Sequence, residues 1–187
     1  MKIWLCVLIL VSTVFLQFAV AADAKAPAVS GFRADALGLL SEVDQHVEGL
    51  AAAVPADKYT WKPAEGVRSI GEAYMHIAGG NYFILKMAGV QIPAGMGESE
   101  DAMNKDAADK AKVTEALKQS MAFLKDTITN TSDADLDKKV KLFGQEMSMR
   151  GVLMLCLGHV QEHLGQSIAY ARMNGVVPPW TAAEQKQ

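Results

Sequence analysis

Residues 148–175 read SMRGVLMLCLGHVQEHLGQSIAYARMNG and decide how the chain folds. The side chain of Ser148 can cap the first turn of a helix, and the helical pattern then continues to Arg172. Asn174-Gly175 and the two prolines that follow a few residues later are typical of a helix end. This stretch therefore predicts one long helix in the C-terminal part of the chain.

Two histidines, His159 and His163, lie four residues apart within this helix. Residues at that spacing project from one side of a helix, about 40° apart, so their side chains can converge on one ion. Cys156 and Gln166 lie on the same side, one turn before and one turn after the pair. The spacing alone leaves two interpretations open: a metal site, or histidines that lie at a surface or are hydrogen-bonded in a core.

Three further helices are predicted upstream. Apolar residues three and four positions apart run from Phe32 to Leu50 and indicate an amphipathic helix that ends before Pro55. Ser69 and Glu72 form a capping box that starts the next helix, in which each residue's side chain accepts from the other's backbone N–H. The predicted helices are Gly31 to before Pro55, Ile70 to about Ala88, Ala107 to Ile128, and Ser148 to Arg172.

The connections between these helices are long. Residues 89–106 contain a proline, several glycines and a run of acids, so we expect a loop there. The link before Ser148 predicts one helical turn after Ser132 and a short extended piece at Val140–Phe143. We find no strand pattern that could support a sheet. The fold class is therefore all-α, a four-helix bundle with long crossover connections.

The N-terminus predicts export. Residues 1–21 combine a positive start, an apolar stretch and an A-x-A exit, which is the pattern of a secretory signal peptide cleaved after Ala21 or Ala22. An uncleaved membrane anchor is the alternative. We expect a flexible leader at 22–30, a bundle at 31–180 and a polar tail at 181–187, in a periplasmic or secreted protein without membrane contact after cleavage.

Charge and cysteine content restrict the function further. The formal net charge is −3, and removal of the signal makes the chain one unit more negative, which argues against a nucleic-acid partner. Cys156 is the one cysteine of the mature chain, so we expect no internal disulfide, and a buried packing role is its default. A homodimer is left open.

The segments YTWKPAEGVRSIGEAYMHIA, 59–78, and HVQEHLGQSIAYARMNGVVPP, 159–179, together resemble the opening and closing halves of the DinB-like (YfiT-like) family. The resemblance covers most of the mature chain. It implies that His76, His159 and His163 form a three-histidine metal site inside a four-helix bundle. The ion it implies is divalent, and zinc, nickel, manganese and iron all remain open.

A three-histidine site has a chemical consequence. Three neutral imidazoles leave a divalent ion its full charge and at least one open position, and this arrangement activates water near neutral pH. The resemblance implies a metal-dependent enzyme, with hydrolases and thiol S-transferases among the relatives. Small reduced thiols are scarce outside the cytosol, so we favour a hydrolase that acts on a small molecule of unknown identity.

Other residues are weaker candidates for the site. Gln166 is predicted to contact the ligands or line the pocket, and Glu162 is the candidate catalytic residue, while Glu72 could also orient ligands or move protons. H-V-Q-E-H also fits the inverted zinc-protease motif H-x-x-E-H, but only 24 residues follow His163, too few for the further ligand that such a protease needs. His46 could face the site, although a hydrogen-bonded core histidine is the commoner case.

The alternative function is an exported copper or zinc buffer without catalysis. Three methionines cluster ahead of Cys156, at Met147, Met149 and Met154, and thioether and thiol ligands select soft metals. Met149 lies fourteen residues before His163, about 21 Å along a helix, so the two cannot share an ion. In a buffer, Cys156 is the residue expected to close the coordination sphere.

Overall fold

The computed structural model describes Val29, residues 31–97 and residues 99–184. The predicted signal peptide at 1–21 lies outside the described residues, and so does the leader predicted at 22–30 except for Val29. The last three residues of the predicted tail also lie outside them.

Four long helices dominate the described structure, as predicted, and confirm the all-α fold class. They are α1 (Phe32–Ala53), α2 (Ile70–Met87), α4 (Lys110–Asn130) and α6 (Met149–Met173). Three short helices lie between or after them: α3 (Glu100–Asn104), α5 (Asp133–Leu136) and α7 (Pro179–Glu184). The turn predicted after Ser132 is α5, and Ser132 caps it by accepting from the backbone N–H of Asp135.

The four long helices are arranged so that α1 lies diagonally opposite α2, and α4 lies diagonally opposite α6. Both α1 and α2 pack against α4 and α6, and one cluster of buried apolar side chains fills the space between all four. Because α1 and α2 share both neighbours, the connection between them crosses one end of the bundle. The link from α4 to α6 makes a second crossing. These two crossings explain why both connections are long.

The connection between α1 and α2 is tightly bonded to both helices. Tyr59 is fully buried, and its hydroxyl donates to the carbonyl of Ala51 on α1 at 2.8 Å. The backbone N–H of Gly71, in the first turn of α2, donates to the carbonyl of Tyr59 at 2.9 Å. These bonds hold the start of α2 in a fixed position relative to α1. They therefore also fix where the side chains along α2 lie.

Residues 89–106 were expected to form a long loop, and the structure adds a short helix to this connection. Ser99 caps the short helix α3 by accepting from the N–H of Ala102. The chain beyond α3 passes so close to α2 that a Cβ at Gly71 would stand 1.8 Å from the carbonyl oxygen of Ala107. A five-residue helix shows too little periodicity to be found from its sequence, and packing against α2 stabilises it.

The expectation that the chain contains no paired strands was wrong. Strands β1 (Lys139–Leu142) and β2 (Gln145–Ser148) form an antiparallel hairpin ahead of α6. The two turn residues, Phe143 and Gly144, both have positive φ, which matches the backbone twist of a two-residue hairpin. This turn could not be predicted from the sequence, because phenylalanine rarely adopts a positive φ.

The C-terminal segment forms helix α7, which spans the predicted start of the polar tail at residue 181. Helix α7 continues to Glu184, and Trp180 stacks on His46 of α1 with ring centroids 4.1 Å apart. Pro179 is compatible with α7 because the first turn of a helix needs no backbone N–H donor. Within the described part of the chain, no helix has the length and apolar character needed to cross a bilayer.

Candidate metal centre

Helix α2 places His76 in its second turn. The Ser69 hydroxyl accepts from the N–H of Glu72 at 3.2 Å, and the Glu72 carboxylate accepts from the N–H of Ser69 at 2.7 Å, so the predicted capping box is present. This box satisfies two backbone donors that a helix start leaves unpaired. His76 then faces α6 from a half-buried position.

Helix α6 places its two histidines opposite His76. The ring centroid of His76 lies 5.0 Å from that of His159 and 4.6 Å from that of His163. The rings of His159 and His163 are 4.6 Å apart. One nitrogen from each residue can be chosen so that all three lie within 4.8 Å of one another. Three residues that the resemblance implied as ligands are thus brought together.

The closest nitrogens match the demands of a small divalent ion. Nε2 of His159 and Nε2 of His76 lie 3.3 Å apart. Two imidazoles that bind zinc tetrahedrally at about 2.0–2.1 Å place their nitrogens about 3.3–3.4 Å from each other. The donor set therefore fits a metal ion, and neutral imidazoles suit zinc, copper, nickel and iron.

A glycine in α2 makes room for one of the three histidines. A Cβ built at Gly80 would stand 2.2 Å from Cε1 of His159, so the imidazole lies directly against the backbone of α2. Sequence analysis did not single out Gly80. The available signal was the pair Gly79-Gly80 inside a helix, where each glycine costs about 1 kcal/mol relative to alanine and so requires a reason.

A chain of hydrogen bonds orients His163. Oε1 of Gln166 lies 2.8 Å from Nδ1 of His163, and Nε2 of Gln166 donates to the Tyr170 hydroxyl at 2.9 Å. An amide oxygen can only accept, so Nδ1 of His163 bears the proton and Nε2 is left to bind a metal. Tyr170 in turn packs edge-on against Trp61, with centroids 5.7 Å apart. The structure thus places Gln166 beside His163.

The remaining candidates lie apart from the three histidines. His46 stacks on Trp180 and does not belong to the group. Cys156 is fully buried, and burial raises the pKa of its thiol from 9.0 to about 12, so it stays protonated at neutral pH. Glu162 is solvent-exposed, one position and about 100° around the helix from the buried His163. Its catalytic role stays a prediction.

A polar cavity of about 490 Å³ lies between the start of α2 and the C-terminal half of α6. Glu72, one helical turn before His76, forms part of its wall, together with Gln166 and Tyr170 from α6. The other lining residues are Gly66, Val67, Arg68 and Asn104. Tyr170 lines this cavity, whereas Tyr74 is fully buried in the core.

Comparisons with known proteins agree with this architecture. Residues 39–167 match the sequence profile of the DinB superfamily. This chain belongs to the DinB superfamily. Membership in it and the three adjacent histidines are together compatible with metal binding.

Solved structures extend the likeness of this DinB-superfamily protein to its fold. A DinB-like protein from Bacillus cereus ATCC 10987 is 21% identical, with a TM-score of 0.54 over 76% of this chain and 94% of the other. A DinB-like protein from Bacillus subtilis is 19% identical, with a TM-score of 0.50 over 76% of this chain and 93% of the other. No curated protein matches the sequence.

Proposed function

We propose that this protein is an exported, metal-dependent hydrolase of small molecules. One observation supports the proposal above all: three histidines converge, and among the described residues no thiol or carboxylate joins their group. An ion held there would keep an open coordination position. The polar cavity is lined by Gln166, the hydrogen-bond partner of His163, and would admit a substrate towards that position.

The reaction adds water across an ester or amide bond. The hydroxyl of water joins the acyl carbon, the bond from that carbon to the leaving oxygen or nitrogen breaks, and the leaving group takes the proton. A divalent ion bound by three neutral imidazoles supplies Lewis acidity and lowers the pKa of water towards neutrality. Both effects serve this reaction at neutral pH.

The chain's own residues have separate tasks in this scheme. His76, His159 and His163 hold the ion, and Gln166 keeps His163 in the tautomer that binds through Nε2. Tyr170 fixes the amide of Gln166. The tasks of Gln166 and Tyr170 correspond to hydrogen bonds in the structure, and each of the five residues can be changed by a single substitution.

The competing function, a copper or zinc buffer, finds less support in the geometry. Met154 is exposed, whereas Cys156, two positions later, is fully buried. Side chains two apart on a helix point about 200° from each other, so these two cannot bind one ion. Cys156 also stands outside the histidine group. A closed, sulfur-rich site is therefore disfavoured.

Metal content and hydrolysis measured together test the proposal. We expect about one divalent ion per chain in the purified wild type, with hydrolysis of an activated ester such as p-nitrophenyl acetate that rises with pH. His163→Ala should lose the ion and the activity. His46→Ala is the matched control, because this histidine stacks on Trp180 away from the group, and it should retain both.

Two outcomes would refute the hydrolase. Equal metal content in the wild type and His163→Ala would reject the site itself. Full occupancy without hydrolysis, combined with a large loss of affinity in Cys156→Ser, would favour the buffer.

Export is tested separately by N-terminal sequencing of the fractionated protein: a start at Ala22 or Asp23 supports it, and an intact Met1 in the membrane fraction argues for an anchor.

A further inference from the structure

The tip of the hairpin carries a phenylalanine in an unusual position. Phe143 is the first of the two turn residues, its φ is 50°, and 59% of the residue is exposed. Asparagine followed by glycine is the favoured pair for a turn of this kind, whereas a bulky residue with positive φ is a rare outlier. An exposed aromatic ring at a position that disfavours it indicates a role other than folding.

Two apolar side chains of α2 extend this exposed surface. The ring of Phe83, a residue that is 53% exposed, lies 6.2 Å from the ring of Phe143 between centroids. Met87 follows Phe83 by one helical turn and is also exposed. We call Phe83, Met87 and Phe143 together the apolar patch. It joins two elements of the fold, unlike the single exposed apolar residues that occur on most protein surfaces.

Lysines flank the apolar patch. Lys86 precedes Met87 on α2, and Lys139 and Lys141 lie on the exposed face of β1. Among the described residues, none of these three lysines has an ion-pair partner. The same face of the hairpin carries one carboxylate, that of Glu146 opposite Lys141. The surface around the patch is therefore positive, although the whole chain has a formal net charge of −3.

We propose that the apolar patch and its lysines bind the surface of a bilayer that contains anionic phospholipids. Aromatic side chains are favoured at the boundary between headgroups and acyl chains, and lysines are attracted to anionic headgroups. This contact is peripheral, and it revises the expectation that the cleaved chain makes no membrane contact. It goes beyond the proposed function, because it concerns where the protein acts and does not depend on hydrolysis.

The apolar patch lies at the end of the bundle where α1 begins. The ring of Phe32, the first residue of α1, has its centroid 4.9 Å from the guanidinium carbon of Arg150. Arg150 lies in the first turn of α6, directly after the hairpin. If the apolar stretch that precedes α1 in the sequence were retained as an anchor, it would bring this same end to the bilayer. Docking through the patch is therefore compatible with a cleaved and with an anchored chain.

A second copy of the chain is a poorer partner for this surface. In a dimer with two-fold symmetry the patch would face an identical patch, so the lysines of one copy would approach those of the other. Like charges brought together at an interface oppose association. A surface of anionic headgroups instead complements the lysines on all sides of the patch. The charges therefore favour a bilayer.

Co-sedimentation with vesicles tests the proposal on the exported protein that begins at Ala22. Vesicles of equal parts phosphatidylcholine and phosphatidylglycerol should bind it at low salt. Vesicles of phosphatidylcholine alone should bind it at least about tenfold more weakly, because they lack the anionic headgroups. Salt at about 1 M should weaken binding to the mixed vesicles, because it screens charges beyond about 3 Å.

Two variants assign the binding to the patch and to its lysines. Phe143→Asn removes the ring and should retain the hairpin, because Asn-Gly is the favoured pair for this turn. We expect it to weaken binding to the mixed vesicles by about tenfold or more. The double variant Lys139→Gln with Lys141→Gln should weaken it by about 10- to 30-fold, since each lysine near an anionic surface contributes about fivefold.

Matched controls lie at the opposite end of the bundle. Met173 is an exposed apolar residue at the end of α6, so Met173→Ser is the control for the loss of an exposed apolar side chain. Lys62 and Lys105 are exposed lysines, in the α1–α2 connection and directly after α3, and Lys62→Gln with Lys105→Gln is the control for the loss of two charges. Both control variants should bind the mixed vesicles like the wild type.

A fluorescence measurement tests insertion of the patch directly. Phe143→Trp adds a tryptophan to the patch, and phospholipids brominated on their acyl chains should quench the added fluorescence. Met173→Trp is the matched reporter at the opposite end, and its added fluorescence should not be quenched.

The outcomes are independent of the hydrolase proposal. Loss of vesicle binding in Phe143→Asn and in the double lysine variant, with normal controls, would support the docking even if no hydrolysis is found. Equal binding of the wild type and Phe143→Asn, equal quenching of the two reporters, or no binding to the mixed vesicles would overturn it. A dimer in solution that dissociates in Phe143→Asn would also overturn it, because the patch would then belong to a second copy.

Discussion

Gly80 of α2 lies directly against the imidazole of His159 on α6, with room for no side chain between them. The position a Cβ would take is 2.2 Å from Cε1 of His159, far inside van der Waals contact. The position of the His159 ring therefore depends on Gly80, which has no side chain that could bind a metal. This relationship leads to the first prediction.

Gly80→Ala should reduce metal affinity by about 10- to 100-fold, the range typical when a residue that orients a ligand is lost. The methyl group displaces the ring of His159, although alanine favours the helix by about 1 kcal/mol. Metal titration by calorimetry measures the effect. Gly49→Ala in α1, where a Cβ meets nothing within 4 Å, is the control and should bind normally. Unchanged affinity in Gly80→Ala would show that the ring can move freely.

Gln166→Leu should weaken metal binding to a similar extent, about 10- to 100-fold. Leucine cannot accept from Nδ1 of His163, so the ring loses the bond that fixes its tautomer. Gln166→Glu should retain affinity, because a carboxylate accepts the same proton. Gln161→Leu, an exposed position on the same helix, serves as the control. Equal affinities for all three variants would remove Gln166 from the site.

Gly71→Ala should destabilise the fold by about 1–3 kcal/mol, the usual cost of overpacking, or prevent folding. The added Cβ would stand 1.8 Å from a backbone oxygen, that of Ala107, which cannot rotate away as a side chain does. Chemical denaturation measures the free energy of unfolding. Gly38→Ala, with open space around it, should be neutral or stabilising. If both variants behaved alike, the close approach of these segments would be wrong.

Cys156 should make the free energy of unfolding depend on pH in alkaline solution. Burial raises the pKa of its thiol from 9.0 to about 12, so the unfolded chain releases this proton at lower pH than the folded protein does. The contribution of the protonated Cys156 thiol to the free energy of unfolding is complete below about pH 9. It declines as pH rises towards 12, by at most about 1.4 kcal/mol per pH unit. Denaturation between pH 8 and 10.5 should show a steeper loss in the wild type than in Cys156→Ala. Parallel curves would contradict the burial of the thiol.

The local features of the chain were readable from its sequence. Helix α2 begins at Ile70 because Ser69 and Glu72 cap it, and α6 begins after Ser148, as both patterns predicted. Capping and helical periodicity involve residues within about one turn of each other, so no knowledge of the fold is needed to interpret them. Of the hairpin, the sequence predicted the extended piece at Val140–Phe143, close to β1, but not β2 or its pairing, because four-residue strands have little pattern and depend on packing.

In the candidate site, too, some features follow from the sequence alone and others depend on the tertiary structure. The sequence alone determined that His159 and His163 share one face of a helix, because their spacing is a property of that helix. That His76 meets them was implied by family resemblance, and tertiary structure decided it, since the contact depends on how α2 packs on α6. Tertiary structure also decided that Gly80 accommodates the ring of His159 and that Arg68 shares a cavity with Glu72. Such contacts join residues far apart in the chain, and helix packing, which no local pattern encodes, determines them.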